Sequence, residues 1–410
     1  MSTAVLGLAA HATQFVVLFA VPGTLLLWRA FQTGQRGPIF FSGLLYGLAF
    51  VMKQPGVVFG VFGLLVLLWR ERREAAAARD SVRRIFWYGL GLALPFGGVC
   101  AYLAAAGVFP QFWFWTFSYA QAYATGTPLG EGLGYLLDYL RDQSAFFAGF
   151  WLLAGAGLLV ALRRGADQQR MIFALLFLFC SFLGTMPGLY FRQHYFVLLL
   201  PAFAVVVGLA VGFLQSTPGR WMKTVPVILL AAVLAWDVYL QRWAFFRFPP
   251  ATLNQIIYGA NPFVESVVAA KYLREHSAPD ARVAVIGSEP QIYFYANRRS
   301  ATGYLYTYPL MEDQPYALTM QHRMISEIES KKPEYLLIVV NRYSWLAKES
   351  SNLGILAWAK QYAATNYDRV GIVDERLGQP EIQLWGDAAK NYPGQLEQFL
   401  DLYKRKPQAD

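Results

Sequence analysis

The chain has 410 residues, 56% of them hydrophobic and 15% charged, and its mean hydropathy is positive. No ordinary soluble domain of this length has that composition, so the sequence reads as an integral membrane protein. The formal net charge of +9 would suit nucleic acid, but the arginines cluster in short loops flanking apolar spans, a positive-inside pattern that argues against that partner. Both cysteines, Cys100 and Cys180, fall inside apolar spans, so no disulfide is expected in the more polar part.

Apolar residues concentrate before about residue 245, and charge with turn punctuation dominates afterwards. The expected fold class is therefore a polytopic α-helical membrane domain of about seven or eight helices over residues 1–245, followed by a small α/β soluble domain over residues 246–410.

The first span covers about residues 4–28 and lacks the basic start and cleavage pattern of a signal peptide. Arg29 and Arg36 follow it and place its far end in the cytoplasm. So short an outward-facing start fits either a translocated tail or further helices upstream. Residues 38–69 are apolar but broken at Lys53-Gln54-Pro55, and they end in Arg70, Arg72, Arg73, Arg79, Arg83 and Arg84. Proline stops a continuous helix, so two short helices in a hairpin are expected, with Lys53 at the extracytoplasmic turn. Gly43 with Gly47, and Gly56 with Gly60, have the small-xxx-small spacing of closely packed helices.

A further span over about 85–106 leads into a long loop, 107–143, rich in aromatics: Phe112, Trp113, Phe114, Trp115, Phe117, Tyr119 and Tyr123. Such a stretch is either an interfacial belt or amphipathic helix, or a lip that admits a lipid-linked substrate, with Glu131, Asp138, Arg141 and Asp142 nearby. Spans follow at about 144–162, 171–189, 194–214 and 224–243, with Arg163, Arg164 and Arg170 at one cytoplasmic turn and Arg220 and Lys223 at the next. This topology places the 107–143 loop, the Lys53 turn, the Arg192 mouth and everything after residue 243 outside the cytoplasm.

Past Pro249-Pro250, helical and strand patterns alternate. Helices are expected at about Pro262 to His276, Gln314 to Lys331 and Leu353 to Ala364, and strands at Arg282 to Ile286, Tyr335 to Val340, Tyr367 to Val373 and Ile382 to Trp385.

The strand Val283 to Gly287 lacks the G-x-G-x-x-G spacing of a dinucleotide site, so no nucleotide cofactor is identifiable. His11, His194, His276 and His322 are scattered without metal-ligand spacing, which leaves a divalent metal unsupported, and no Gly-x-Ser-x-Gly elbow occurs. Lys53, Arg192 and His194 remain as groups that topology puts on one face, suited to a phosphate headgroup or, equally, to anchoring helix ends among lipid headgroups. In the tail, Glu289, Arg298, Arg299 and Tyr304 are candidate substrate-binding groups, since rings beside arginines can stack on sugars. The alternative there is an internal ion pair with aromatic packing.

The segment Gly43-Leu44-Leu45-Tyr46-Gly47-Leu48-Ala49-Phe50-Val51-Met52-Lys53-Gln54-Pro55, the segment Tyr190-Phe191-Arg192-Gln193-His194-Tyr195-Phe196 with Pro201 downstream, and the stretch from Gly287-Ser288-Glu289-Pro290 to Tyr306 occur in that order. Together they resemble the GT-C fold integral membrane glycosyltransferases, in particular the family 39 group of protein O-mannosyltransferases and aminoarabinose-transferase-like enzymes. The resemblance implies transfer of a sugar from a polyprenyl-phosphate donor to an acceptor outside the cytoplasm of a bacterial inner membrane. A carboxylate in the first extracytoplasmic loop would act as base, and cations would stabilise the departing lipid phosphate. The first acidic residue here is Glu71, on the cytoplasmic side, so the catalytic acid is expected in an N-terminal portion that this chain lacks. The rival expectation is a non-catalytic protein that binds a lipid carrier or recruits a periplasmic partner. A transporter is disfavoured, since no repeated half is visible and no acidic residue lies within a span. The sugar and the acceptor are not legible.

Overall fold

A computed structural model describes residues 3–74, 78–124, 127–164, 168–376, 378–392 and 397–407. The side chains of Tyr123 and Arg164 lie outside the described residues. The chain divides into two compact units, Met1–Phe245 and Phe246–Asp410.

The first unit is helical: α1 (Ala12–Thr33), α2 (Gly37–Met52), α3 (Val57–Glu74), α4 (Ala78–Ala105), α5 (Leu129–Arg164), α6 (Gln168–Leu183), α7 (Leu200–Gln215) and α8 (Val225–Leu240). Among the described residues, four stretches are long and apolar enough to cross a membrane, Ala12–Thr33, Gln54–Arg73, Ala78–Ala105 and Leu129–Arg163, while α2, α6, α7 and α8 are shorter apolar helices. The first helix starts later than expected, because residues 3–5 form a separate 3₁₀ turn. The aromatic stretch expected as a loop is helical, with turns at Phe109–Trp113 and Tyr119–Ala124 flanking a π-helical turn at Phe114–Ser118. Beyond it, the expected loop residues Glu131 and Asp138 belong to the 36-residue α5, which runs on without a break into the apolar span.

Packing in this unit depends on close backbone approach. A Cβ at Gly43 would strike the carbonyl oxygen of Tyr88, and one at Gly91 would strike that of Phe40, so α2 and α4 meet at a distance only glycine allows. Hydrogen bonds between buried groups then tie neighbouring helices together. Tyr46 Oη and Thr24 Oγ1 are 2.9 Å apart, Ser42 Oγ donates to Gly23 O at 2.8 Å, and Tyr88 Oη donates to Gly60 O at 2.7 Å. At the arginine-rich end, Glu71 accepts two hydrogen bonds of 2.7 Å from Arg84 and one from Ser81, while Arg70 caps Ala30 O at 2.8 Å.

The second unit is built on a six-stranded mixed sheet. In chain order it contains α9 (Phe263–His276), β1 (Arg282–Ile286), α10 (Pro290–Ala296), β2 (Arg299–Ser300), α11 (Ala317–Lys331), β3 (Tyr335–Val340), α12 (Gly354–Asn366), β4 (Tyr367–Asp374), β5 (Ile382–Trp385) and β6 (Phe399–Arg405). The strand order is β2-β1-β3-β6-β4-β5. β1 runs parallel to β2 and β3, with Val283 beside Tyr335 and Ile286 beside Ile338. β6 is antiparallel to β3 and β4, and it therefore sits inside the sheet. Val283, Val285, Leu337, Val339, Leu400 and Leu402 pack with Ala269 and Leu273 of α9 into one core. The expected strands are present, but Ile382–Trp385 forms an edge and not the terminal strand, because β6 follows it.

Candidate functional site

Three breaks in helical structure of the first unit form the site. His11 precedes α1 in an extended conformation, with φ −69° and ψ 149°. Lys53 ends α2 with φ −163° and ψ 139°, and Pro55 in the following 3₁₀ turn, Gln54–Gly56, turns the chain into α3. Arg192 precedes a 3₁₀ segment, Gln193–Leu198, that leads into α7.

The connection before Arg192 is strained. Leu189 and Phe191 adopt φ of 55° and 41°, a region side-chain-bearing residues rarely visit, and Gly188 lies beside them at 74°. Such conformations persist only where packing over-determines them. Here Phe191 is buried with Val5, Tyr139, Phe196 and Val197, and Tyr139 stacks on Phe196 with centroids 3.7 Å apart. Non-helical backbone between apolar helices is tolerated where protein or a water-filled cavity surrounds it.

These breaks bring Lys53, Arg192 and His194 together. Lys53 Nζ lies over the Tyr195 ring at 4.6 Å, and the Arg192 guanidinium over the Tyr190 ring at 5.3 Å. Lys53 is close enough to Arg192 and His194 for the charges to act on one another. A fourth member escaped sequence reasoning: His11 stacks on His194 with centroids 4.4 Å apart and an interplanar angle of 11°. Its sequence signal is that of a lone polar ring inside the first apolar stretch, residues 4–28.

One hollow is lined by Lys53 itself, and a second by Phe196 of the segment that carries His194. A cavity of about 250 Å³ is lined by Met52, Lys53, Gln54, Phe96, Phe112 and Thr116, so the aromatic stretch reaches the Lys53 turn, and Gln54 Nε2 donates to Thr116 O at 3.1 Å. A groove of about 460 Å³, lined almost wholly by apolar side chains, runs past Tyr139, Trp151, Phe182, Phe196, Leu199 and Phe203. Phe196 and Leu199 belong to the segment that carries His194, or directly follow it. A cationic end with an apolar trough beside it suits an anionic amphiphile. Among the described residues, no three His, Cys, Asp or Glu side chains could jointly hold a metal ion.

In the second unit the four candidate residues do not form one cluster. Glu289 follows β1 at the carboxyl edge of the sheet, where strand order reverses around β1 and where α/β sheets commonly bind ligands. It is 3% exposed and accepts from Ser344 Oγ at 2.8 Å. Burial, reinforced by the nearby Glu265 carboxylate, pushes its carboxyl up to about 8 against the pull of the Ser344 and Ser288 hydrogen bonds. A side chain on Gly287 would crowd the side-chain ends of Glu289, Val339 and Ser344 and force them to shift. Ser288 Oγ and Thr307 Oγ1, 2.9 Å apart, join this network to the 302–308 stretch.

Arg298 and Arg299 lie at the opposite, amino edge, since Arg299 pairs with Arg282 at the start of β1. Arg298 makes five hydrogen bonds, to Ser277 Oγ at 2.7 Å and to the carbonyls of Arg274, Ser277, Ala296 and Asn297. Arg299 is exposed, and Tyr304 is buried. Next to Tyr304, Glu327 accepts from Thr302 Oγ1 and Gly303 N, each at 2.8 Å. Burial works against the Glu327 charge, but these bonds with Arg323 and Lys331 hold its carboxyl below the usual range.

No family model matches this chain. No curated protein matches it either. Among solved structures, it is similar to the archaeal oligosaccharyltransferase AglB from Archaeoglobus fulgidus, in complex with an inhibitory peptide and a dolichol-phosphate, at 11% identity and a TM-score of 0.41. The likeness covers 90% of this chain, which spans 56% of the AglB chain.

Proposed function

We propose that this chain is a membrane glycosyltransferase component of the GT-C type, acting in a bacterial inner membrane on a polyprenyl-phosphate-linked sugar, with its second unit on the extracytoplasmic side. The observation that carries this reading is the convergence of Lys53, Arg192 and His194 beside an apolar groove. Lysine and arginine supply the donors that phosphate oxygens prefer. As the bond to the anomeric carbon breaks, negative charge grows on the lipid phosphate, and fixed cations lower the barrier most at that point. The apolar groove would take the first isoprene units. In the second unit, Glu289, Arg299 and Tyr304 are the candidates for sugar or acceptor recognition, while the five bonds of Arg298 favour a role in holding the loop.

The test is transfer of radiolabelled sugar from a polyprenyl-phosphate donor in liposomes containing the full chain and inner-membrane extract as acceptor source. Transfer that is lost in Lys53→Gln and Arg192→Gln supports the reading; equal transfer by these variants and the parent sinks it.

A further inference from the structure

Of the polar groups around the cation cluster, those at the start of α1 are left with unmet hydrogen-bonding capacity. His11 Nε2 is buried without a hydrogen-bond partner among the described residues, and so is Thr13 Oγ1 two residues on, in a side chain that is fully buried. The 22-residue helix has no side-chain cap at this end and no acidic residue in its first turn. A helix begins with amide N–H groups that have no intrahelical acceptor and with the positive end of its dipole; the Gln14 N–H already donates to His11 O at 2.9 Å, so this end offers the Ala12 and Thr13 amides to an anion. It is also held where an anion would arrive. His11 stacks on His194, α1 packs against the 3₁₀ segment that carries His194, and the Lys53 charge acts on both imidazoles.

We propose that the amino end of α1 is a second arm of the phosphate site, with His11 Nε2 and the Ala12 and Thr13 amides of α1 holding phosphoryl oxygens alongside the lysine and arginine. This rests on the reading that the cluster receives a phosphate, and it adds which oxygens are held and by what. Lys53 and Arg192 act as charges that attract the group, whereas His11 and the helix amides are directional donors on rigid backbone and set its orientation. Stacking on His194 fixes the plane of the His11 ring and hence the direction of Nε2. The ligand class is a phosphate monoester or diester of a lipid alcohol, whose apolar part follows the groove past Phe196.

The experiment uses the full chain in phosphatidylcholine nanodiscs and measures binding of geranylgeranyl phosphate, geranylgeraniol and inorganic phosphate. His11→Ala is expected to weaken geranylgeranyl phosphate about tenfold, the effect of losing one hydrogen bond to a charged group, while geranylgeraniol binding stays unchanged. His11→Gln, which can place an amide nitrogen near the same point, should recover most of the loss. A second variant does not touch His11: Ala12→Pro removes one amide donor at the first helical position. His11 already has the extended backbone that a following proline demands, so the helix start is kept. It should weaken the phosphate ligand several-fold, again sparing the alcohol. If Lys53→Gln weakens geranylgeranyl phosphate but neither His11→Ala nor Ala12→Pro does, the second arm is refuted and the phosphate reading stands. If the phosphate and the alcohol bind equally in the parent and in Lys53→Gln, the phosphate reading itself fails. Equal loss of phosphate and alcohol in His11→Ala assigns His11 a purely architectural role and overturns the proposal. Sensitivity to His11 seen only with inorganic phosphate would keep the second arm and reassign the ligand as the free anion.

Discussion

The ammonium of Lys53 sits 4.6 Å from the centre of the Tyr195 ring, so the turn between α2 and α3 and the strained link between α6 and α7 share one polar cluster. The ring covers part of the charge that the helix ends bring together, and one face of the ammonium is shielded as a result. Tyr195→Leu is expected to weaken geranylgeranyl phosphate binding about threefold to fivefold, and Tyr195→Phe to leave it unchanged, because the ring and not the hydroxyl meets Lys53. Titration in phosphatidylcholine nanodiscs reads both, and a loss in the phenylalanine variant would contradict the contact.

Close packing of α2 on α4 makes Gly43 intolerant. A Cβ there meets the backbone of Tyr88, which cannot rotate away, so Gly43→Ala should destabilise by at least about 1–3 kcal/mol. Gly98→Ala on α4 faces open space and should not. Thermal melts of the detergent-solubilised chain compare the two, and equal melting temperatures would contradict the helix approach.

Glu289 gives a pH dependence of known sign. Its carboxyl is raised from 4.5 to about 8 in the folded chain, so the folded state keeps a proton that the unfolded state has released between those values. The stabilisation is complete below about pH 4.5, falls by up to ~1.4 kcal/mol per pH unit as pH rises, and is gone above about pH 8. Glu289→Gln keeps a neutral, hydrogen-bonding side chain and should flatten this slope while raising stability at pH 7 to 8. Melts from pH 5 to 8 test it; identical slopes in parent and variant would show that Glu289 is ionised throughout.

Arg298 holds five acceptors, and its removal leaves buried carbonyls without donors. Arg298→Leu should cost roughly 3 kcal/mol or more, and Arg298→Lys should recover only part, since a lysine cannot reach so many acceptors at once. Hydrogen exchange at residues 274–277 and 296–298 reports the loosening. An unchanged exchange pattern, with lost ligand binding, would assign Arg298 to recognition instead.

Glu71 and Arg84 form a largely buried pair. Arg84→Met alone should destabilise by about 3–5 kcal/mol by stranding the carboxylate, and the double change Glu71→Gln with Arg84→Met should restore most of it. Melting temperatures of the single and double variants measure this coupling.

Much of this architecture is legible before any coordinates, and the omissions have physical causes. Proline in Lys53-Gln54-Pro55 announces the hairpin because it cannot continue a helix. β1 and β3 stand out as short apolar runs between turn residues. β6 does not, since Asp401 interrupts Phe399 to Tyr403 with a charge that only Arg369, bonded to it at 2.6 and 2.8 Å, and Tyr403 make tolerable. The start of α5 has the polar texture of a loop because of Glu131, Asp138, Arg141 and Asp142; they extend an apolar helix beyond its apolar part. Lys53, Arg192 and His194 could be grouped by counting spans, but nothing near His11 in the chain announces a stack on a ring from the far end of the unit.

Because β6 joins β3 to β4, the two parts of the sheet that precede it are linked by a strand made after both. Until that stretch emerges, the unit consists of two separate half-sheets with unpaired inner edges, β1 to β3 on one side and β4 with β5 on the other. A nascent chain stalled short of Phe399 would present two sticky borders to whatever chaperone receives it.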